Sequence, residues 1–223
     1  MDIFISYSNA DKVMAHSTKV ALREFGMEGF LAHEDLQVSD DWRDAILEKL
    51  KTAPLFIALL STHFRVSEWC AQEIGFVVSR PEVLIIPLSI DGTTPFGFIS
   101  KFQSKRVNSA DDIPKLLQDI LLKKRPRLAI PCWIQKVMNV GSYRSAETLV
   151  KPLVPYFPSF TSEEAIDFIE AALGNSQVWD AGDCRGEYLP AFARLHWHNF
   201  QQSLKNDFLS KLELEEPELI KQG

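Results

Sequence analysis

The chain has 223 residues, 46% of them hydrophobic, enough for a buried core and for either one domain with an appendage or two small domains. Its 24 basic residues against 30 acidic ones give a net charge of −6, which disfavours a nucleic-acid partner but leaves room for a small anionic ligand held by a few local groups. Three widely separated cysteines, Cys70, Cys132 and Cys184, with no C-x-x-C pair, argue against a disulfide framework or a zinc site and fit a reducing compartment.

Residues 2–7, Asp2-Ile3-Phe4-Ile5-Ser6-Tyr7, predict a buried strand followed by polar turn chemistry at Ser8-Asn9-Ala10-Asp11. Val13, Met14, Val20, Ala21 and Phe25 recur at helical spacing and predict one apolar face of a helix ending near Gly26. Residues 29–33 form a second short strand, followed by a loop over residues 34–39. Ser39 is placed to cap a helix carrying Trp42, Ile46 and Leu50 on one side, and Pro54 breaks that helix. Residues 55–60 are apolar throughout, as in a strand covered on both faces, and the run is far too short to cross a membrane.

A loop over residues 61–66 leads to Ser67, the expected cap of the next helix, which Pro81 ends. Residues 83–88 read as a fourth strand, residues 91–97 as a Gly- and Pro-rich loop, and residues 104–107 as a short fifth strand. Ser109-x-x-Asp112 opens a helix with Ile113, Leu116, Leu117, Ile120 and Leu121 on one face. Beyond the basic stretch Lys123-Lys124-Arg125-Pro126-Arg127 the alternation stops. Prolines punctuate residues 131–158, a capping box at Thr161 and Glu164 precedes an apolar helix, and residues 190–214 read as a further helical segment.

Strand and helix alternate over residues 1–125, the pattern of an α/β fold with a parallel sheet and helices on both faces. Residues 126–223 read as a small C-terminal helical appendage of unknown role. Right-handed crossovers place every strand-to-helix loop at the carboxyl edge of the sheet, where open sheets of this kind bind ligands. The loops after Tyr7, His33 and Leu60 converge there, as does the start of the helix at Ser67. The entry from Met1-Asp2 directly into a strand shows no signal-peptide pattern, so the expected setting is the cytoplasm, with no membrane partner.

Several chemistries drop out. No G-x-G-x-x-G follows the first strand, and neither G-x-x-x-x-G-K-[ST] nor a G-x-S-x-G elbow occurs. The third strand ends Leu60-Ser61-Thr62, without the phospho-accepting Asp of a receiver domain. The imidazoles of His196 and His198 point to different faces of a helix, which disfavours a metal pair. What remains is Trp69 and Glu73, at i and i+4 on one helix face, with Cys70, Ile74 and Val77 on a separate stripe facing the sheet. A half-exposed Trp packed on a loop beside a solvated Glu is the plain alternative. Against it stands the position of both residues in the first turns of a helix that starts at the ligand edge.

Three stretches, in order, resemble the TIR (Toll/interleukin-1 receptor/resistance) domain. Asp2-Ile3-Phe4-Ile5-Ser6-Tyr7 is similar to its first signature box. Residues 30–42 resemble its second strand, long BB loop and following helix. Ser67-x-Trp69-Cys70-x-x-Glu73 resembles the motif carrying the catalytic glutamate of enzymatic TIR domains. Phe30-Leu31-Ala32-His33-Glu34-Asp35, and Ile85-Ile86-Pro87-Leu88 followed by Gly97-Phe98-Ile99, are especially similar to bacterial stand-alone TIR proteins, and the FW-type third box of animal adaptors is not evident. The resemblance covers roughly residues 1–125 and implies a flavodoxin-like parallel sheet.

It also implies cleavage of NAD at the nicotinamide–ribose bond, with NAD as substrate and no cofactor. Glu73 is the implied catalytic carboxylate. Ser6, Tyr7 and Ser8 would supply walls and donors, Trp69 would stack on a ring, and His33, Asp35 and Trp42 around the BB loop would close over the dinucleotide or touch a neighbouring subunit. The implied products are ADP-ribose, if water attacks, or a cyclic ADP-ribose, if an atom of the same substrate does. The implied setting is anti-phage defence, with self-association through TIR surfaces and a downstream effector sensing a cyclic product. Two alternatives stay open: a non-enzymatic interaction module, and an effector that interferes with host TIR signalling.

Overall fold

In a computed structural model, which describes residues 2–23, 26–32 and 42–216, the chain divides into two compact units, Met1–Leu117 and Gln118–Gly223. The first unit contains β1 (Asp2–Ser6), α1 (Lys12–Arg23), β2 (Glu28–Phe30), α2 (Trp42–Thr52), β3 (Leu55–Leu60), α3 (Thr62–Arg65), α4 (Glu68–Val77), β4 (Leu84–Ser89) and β5 (Lys105–Arg106). The division between the units falls within α5 (Asp112–Lys124).

The five strands form one sheet in the order β2-β1-β3-β4-β5, every neighbouring pair parallel. A parallel pair needs a long crossover between its strands, so helices flank this sheet, in the α/β, flavodoxin-like arrangement expected from the alternation. Central β3 is buried along its whole length, as its unbroken apolar sequence requires. Phe4 of β1 stacks on Phe56 of β3 with ring centroids 5.5 Å apart. Around them pack Ile46 and Leu50 of α2 and Cys70, Ile74 and Val77 of α4. Burying each large apolar side chain here contributes roughly 1.5–3 kcal/mol.

Several local expectations change. In α1 the buried stripe is Ala15, Thr18, Lys19 and Leu22, joined by Ala21, while Val13 and Val20 are exposed. The close approach of α1 to β2 falls at Gly29, where an added Cβ would stand 2.7 Å from Ile5 Cδ1, 3.4 Å from Lys19 Cγ and 3.5 Å from Lys19 Cα. Phe25 and Ser39, named above for this helix and for the cap of the next, lie outside the described residues. The second strand stops at Phe30. Residues 61–66, expected as a loop, contain the one-turn helix α3, because the Ser61 hydroxyl caps it by accepting from the Phe64 N–H at 2.9 Å. α4 ends at Val77, ahead of Pro81.

The second unit is helical. It holds α6 (Pro126–Asn139), α7 (Tyr143–Val150), α8 (Ser162–Gly174), α9 (Ser176–Trp179), α10 (Leu189–His196) and α11 (Gln202–Leu212). Between α7 and α8 runs a 3₁₀ stretch, Lys151–Ser159, in which Pro152, Pro155 and Pro158 recur every third residue, the period of that helix. Phe157, Phe160, Phe168 and Phe192 build an aromatic core, with centroids 4.6 Å apart for Phe168 and Phe192. The expected capping box is complete: Thr161 and Glu164 each satisfy the other's backbone N–H. The single helical segment expected over residues 190–214 is instead two helices, separated by the 3₁₀ turn Trp197–Asn199. His196 is buried, lies 4.6 Å from the Phe192 ring and bonds the Phe157 carbonyl at 2.8 Å. Among the described residues no helix is long and apolar enough to cross a membrane.

Candidate active site

In this sheet the chain runs one way from β1 to β2 and the other way from β3 to β4, so the carboxyl ends of β1 and β3 mark the topological switch point. Ser6, the last residue of β1, pairs with Ala58 of β3 there. A cavity of about 370 Å³ opens at this edge, within the range of about 300–1,000 Å³ usual for small-molecule sites.

α4 aims two side chains into it. Ser67 starts the helix by accepting from the Cys70 N–H at 3.3 Å. Trp69 and Glu73 then share a face one turn apart, while Cys70, Ile74 and Val77 are buried on the neighbouring stripe. Trp69 stays 40% exposed at the cavity mouth; Glu73 is only 8% exposed. Trp42, at the start of α2, meets Trp69 edge-on with ring centroids 4.4 Å apart. The two indoles thus form an aromatic rim, with a carboxylate deeper inside.

The Glu73 carboxylate has one anchor within the described residues: the Ser6 hydroxyl donates to Glu73 Oε2 at 2.5 Å. Burial raises the pKa of the carboxyl, and the Ser6 hydrogen bond opposes it; burial wins, and the group titrates at about 7. Beside it, burial pushes the Cys70 thiol up to about 11, so it remains neutral and is a packing group rather than a nucleophile.

The edge is braced by side chains from three loops. Ser61 Oγ donates to Asp11 Oδ2 at 2.5 Å, joining the segments after β1 and β3. The Thr62 N–H donates to Asp91 Oδ2 at 2.8 Å, joining α3 to the loop after β4. Hydrogen bonds from Thr93 and Thr62 hold the Asp91 carboxyl at about 2, ionised at any working pH.

Tyr7, Ser8, Trp42, Trp69 and Glu73, all named from the sequence, line the cavity. Ser6 is not part of the lining; it is buried and bonds the Glu73 carboxylate instead. His33 and Asp35 lie outside the described residues. Asn9 and His63 also line the cavity and were not singled out from the sequence. Asn9 follows β1 directly, and His63 follows β3 on α3. Both therefore belong to segments that chain order alone brings to this edge.

A buried carboxylate titrating near neutrality, at the floor of an aromatic-rimmed cavity, can stabilise a developing positive charge or accept hydrogen bonds from hydroxyls. The family model of the TIR domain matches residues 3–120, and the chain belongs to that family. No functionally curated protein matches it. Among solved structures, the TIR domain of the Toll-related receptor TRR-2 from Hydra magnipapillata is similar to 54% of this chain and 95% of its own, at 17% identity and a TM-score of 0.46.

Proposed function

We propose that this TIR-family chain cleaves NAD at the nicotinamide–ribose bond, with Glu73 as the catalytic carboxylate. The observation that carries the reading is the buried Glu73 carboxylate, held by Ser6 at the floor of the cavity rimmed by Trp42 and Trp69. The chemistry suits those groups. Nicotinamide leaves as a neutral base from a cationic ring, so no general acid is needed. The transition state is oxocarbenium-like, and an ionised carboxylate stabilises it while accepting from the ribose hydroxyls. A bound pyridinium ring itself favours the ionised form of Glu73. The indoles supply stacking faces for that ring, and Tyr7 and Ser8 complete the wall.

The wider reading follows from this activity. NAD is substrate, the setting is the cytoplasm, and the product is ADP-ribose or a cyclic ADP-ribose that a downstream effector senses in anti-phage defence. TIR domains commonly self-associate, so the enzyme is assayed at high concentration and with an assembly trigger such as phage lysate. The reading assigns catalysis to residues 1–125 and leaves the helical appendage, residues 126–223, without a chemical part. The test is nicotinamide release from NAD by wild type and Glu73→Gln. Release lost in the variant supports the reading. Equal release by both removes Glu73 from its role, and no release from either, trigger included, favours a non-enzymatic assembly module.

A further inference from the structure

The loop between β4 and β5 supplies no wall of the Glu73 cavity. Its ends meet. Ser89 of β4 pairs with Arg106 of β5, and the Arg106 guanidinium lies 3.4 Å from where a Cβ on Gly92 would stand. The loop is also anchored. Ile99 is fully buried in the core with Ile74 of α4, and the Phe96 ring meets Phe64 of α3 with centroids 6.3 Å apart. The Ile99 N–H donates to the Phe96 carbonyl at 3.1 Å, and the Phe102 N–H to the Ile99 carbonyl at 3.0 Å. A closed loop packed by its own side chains presents the remaining ones on a fixed frame.

What it presents is basic and aromatic. Residues 92–110 hold Lys101, Lys105 and Arg106 and no acid, on a chain of net charge −6. Arg65 of α3 joins them, donating to the Thr94 carbonyl at 3.3 Å with its guanidinium 5.1 Å from the centre of the Phe96 ring. Lys101 lies 5.2 Å from the centre of the Phe102 ring. Among the described residues, none of these four cations is ion-paired with a carboxylate. Asp91, just ahead of the loop, has both carboxylate oxygens engaged, by the Thr62 and Thr93 N–H groups. Phe98, in the middle of the loop, is 74% exposed, the most exposed aromatic among the described residues, and Val66 beside Arg65 is 78% exposed. A lone exposed ring is ordinary, but this one is framed by unpaired cations.

We infer that this loop docks the chain on an anionic lipid surface, with Arg65, Lys101, Lys105 and Arg106 at the headgroups and Phe98 in the acyl boundary. The inference is independent of the reading of Glu73. Two observations favour a bilayer over a polymer. Phe98, Lys101, Lys105 and Arg106 line none of the cavities at the Glu73 edge, between α2 and α4 or beside β2, so the patch offers no groove for an extended peptide or a single strand. An apolar side chain also stands out among the charges, as in surface-binding segments that bury an apolar group while their Lys and Arg stay with the headgroups. Each cation close to an anionic leaflet strengthens binding about fivefold. The acidic remainder of the chain is screened beyond about 8–10 Å at physiological salt. The expectation of no membrane partner concerned leader and spanning segments, and a peripheral contact needs neither.

The test is co-sedimentation of the full chain with phosphatidylcholine vesicles, prepared with and without phosphatidylserine. Binding is expected only where phosphatidylserine is present, and it is expected to weaken as salt rises. Lys101→Gln and Lys105→Gln are each expected to weaken it about fivefold, and Phe98→Ser about tenfold. All three positions are exposed, so near-UV circular dichroism is expected to match wild type. Phe98→Trp reports insertion directly: vesicles with brominated acyl chains are expected to quench its fluorescence more than that of wild type. Equal binding to both vesicles, no binding to either at low salt, or binding that none of the substitutions changes overturns the inference. So does Phe98→Trp fluorescence indifferent to brominated lipid. A single-stranded oligonucleotide or a polyglutamate peptide that binds more tightly than the vesicles, and is sensitive to the same substitutions, would assign the patch to a polymer and overturn it as well.

Discussion

Ser6 Oγ donates to Glu73 Oε2 at 2.5 Å, joining the end of β1 to the second turn of α4 across 67 positions of sequence. A hydroxyl donor favours the ionised carboxylate, whereas burial favours the protonated one, and their balance leaves Glu73 at about 7. Ser6 therefore bears on both where the carboxylate points and when it ionises, and under the proposed function it is a positioning residue.

Glu73→Gln is expected to lower nicotinamide release by about 100-fold or more, since the charge that stabilises the oxocarbenium is gone. The amide oxygen can still accept from Ser6, so near-UV circular dichroism is expected to match wild type. A variant retaining most of its activity would sink the assignment.

Stability carries the same signature. The carboxyl ionises at about 7 in the folded chain against an ordinary glutamate value of 4.5. Between these values the folded state keeps a proton that the unfolded state has released. The contribution is therefore full below 4.5, and it declines through the window to nothing above 7. The amplitude is on the order of 3 kcal/mol. Urea midpoints are expected to fall for wild type relative to Glu73→Gln as pH rises from about 5 to 8. Parallel curves for the two proteins would contradict the raised pKa.

Ser6→Ala removes the group that holds the Glu73 pKa down, so the acid limb of kcat/KM is expected to move to higher pH, with activity recovering in alkali. Ser6→Thr, which keeps a hydroxyl, is expected to restore the profile. A uniform loss at every pH, with no shift, would mark Ser6 as merely structural.

Trp69→Ala and Trp42→Ala are each expected to raise KM, by an amount corresponding to about 1–3 kcal/mol of lost stacking. Trp69→Phe keeps a ring face and is expected to retain most of the affinity. Both indoles are about two-fifths exposed, so thermal midpoints are expected to move little. An unchanged KM in both alanine variants would mean that the rings serve only each other.

Gly29→Ala would place a methyl 2.7 Å from Ile5 Cδ1, the movable end of that side chain, with Lys19 at 3.4 Å, so it is expected to cost about 1 kcal/mol by overpacking. A urea midpoint equal to wild type would show that Ile5 yields freely.

The strands, their parallel pairing and the edge where the strand-to-helix loops meet were legible because each is written in short-range pattern and chain order. The unbroken apolar run Leu55–Leu60 needs cover on both faces, and Ser67 followed by Trp69 and Glu73 sets a cap and a shared helix face whatever lies opposite. Chain order then fixes which edge that face meets, since crossovers have one hand. The buried face of α1 was not legible. Hydrophobicity favours Val13 and Val20, whereas the helix turns Ala15, Thr18, Lys19 and Leu22 inward, with Lys19 lying over Gly29 of β2. Nor was α3, whose cap at Ser61 is also held by Asp11, 50 positions away.

By itself, then, the sequence determined the α/β alternation, the cap at Ser67 and the pairing of Trp69 with Glu73 on one face, because helix and strand periods are properties of neighbouring residues. Only the tertiary structure decided that Ser6 lies against Glu73, that the carboxyl is buried deeply enough to titrate at about 7, and that Trp42 meets Trp69. Desolvation and contact depend on what distant segments exclude water from a site, and no local spacing encodes that until the sheet has closed over it.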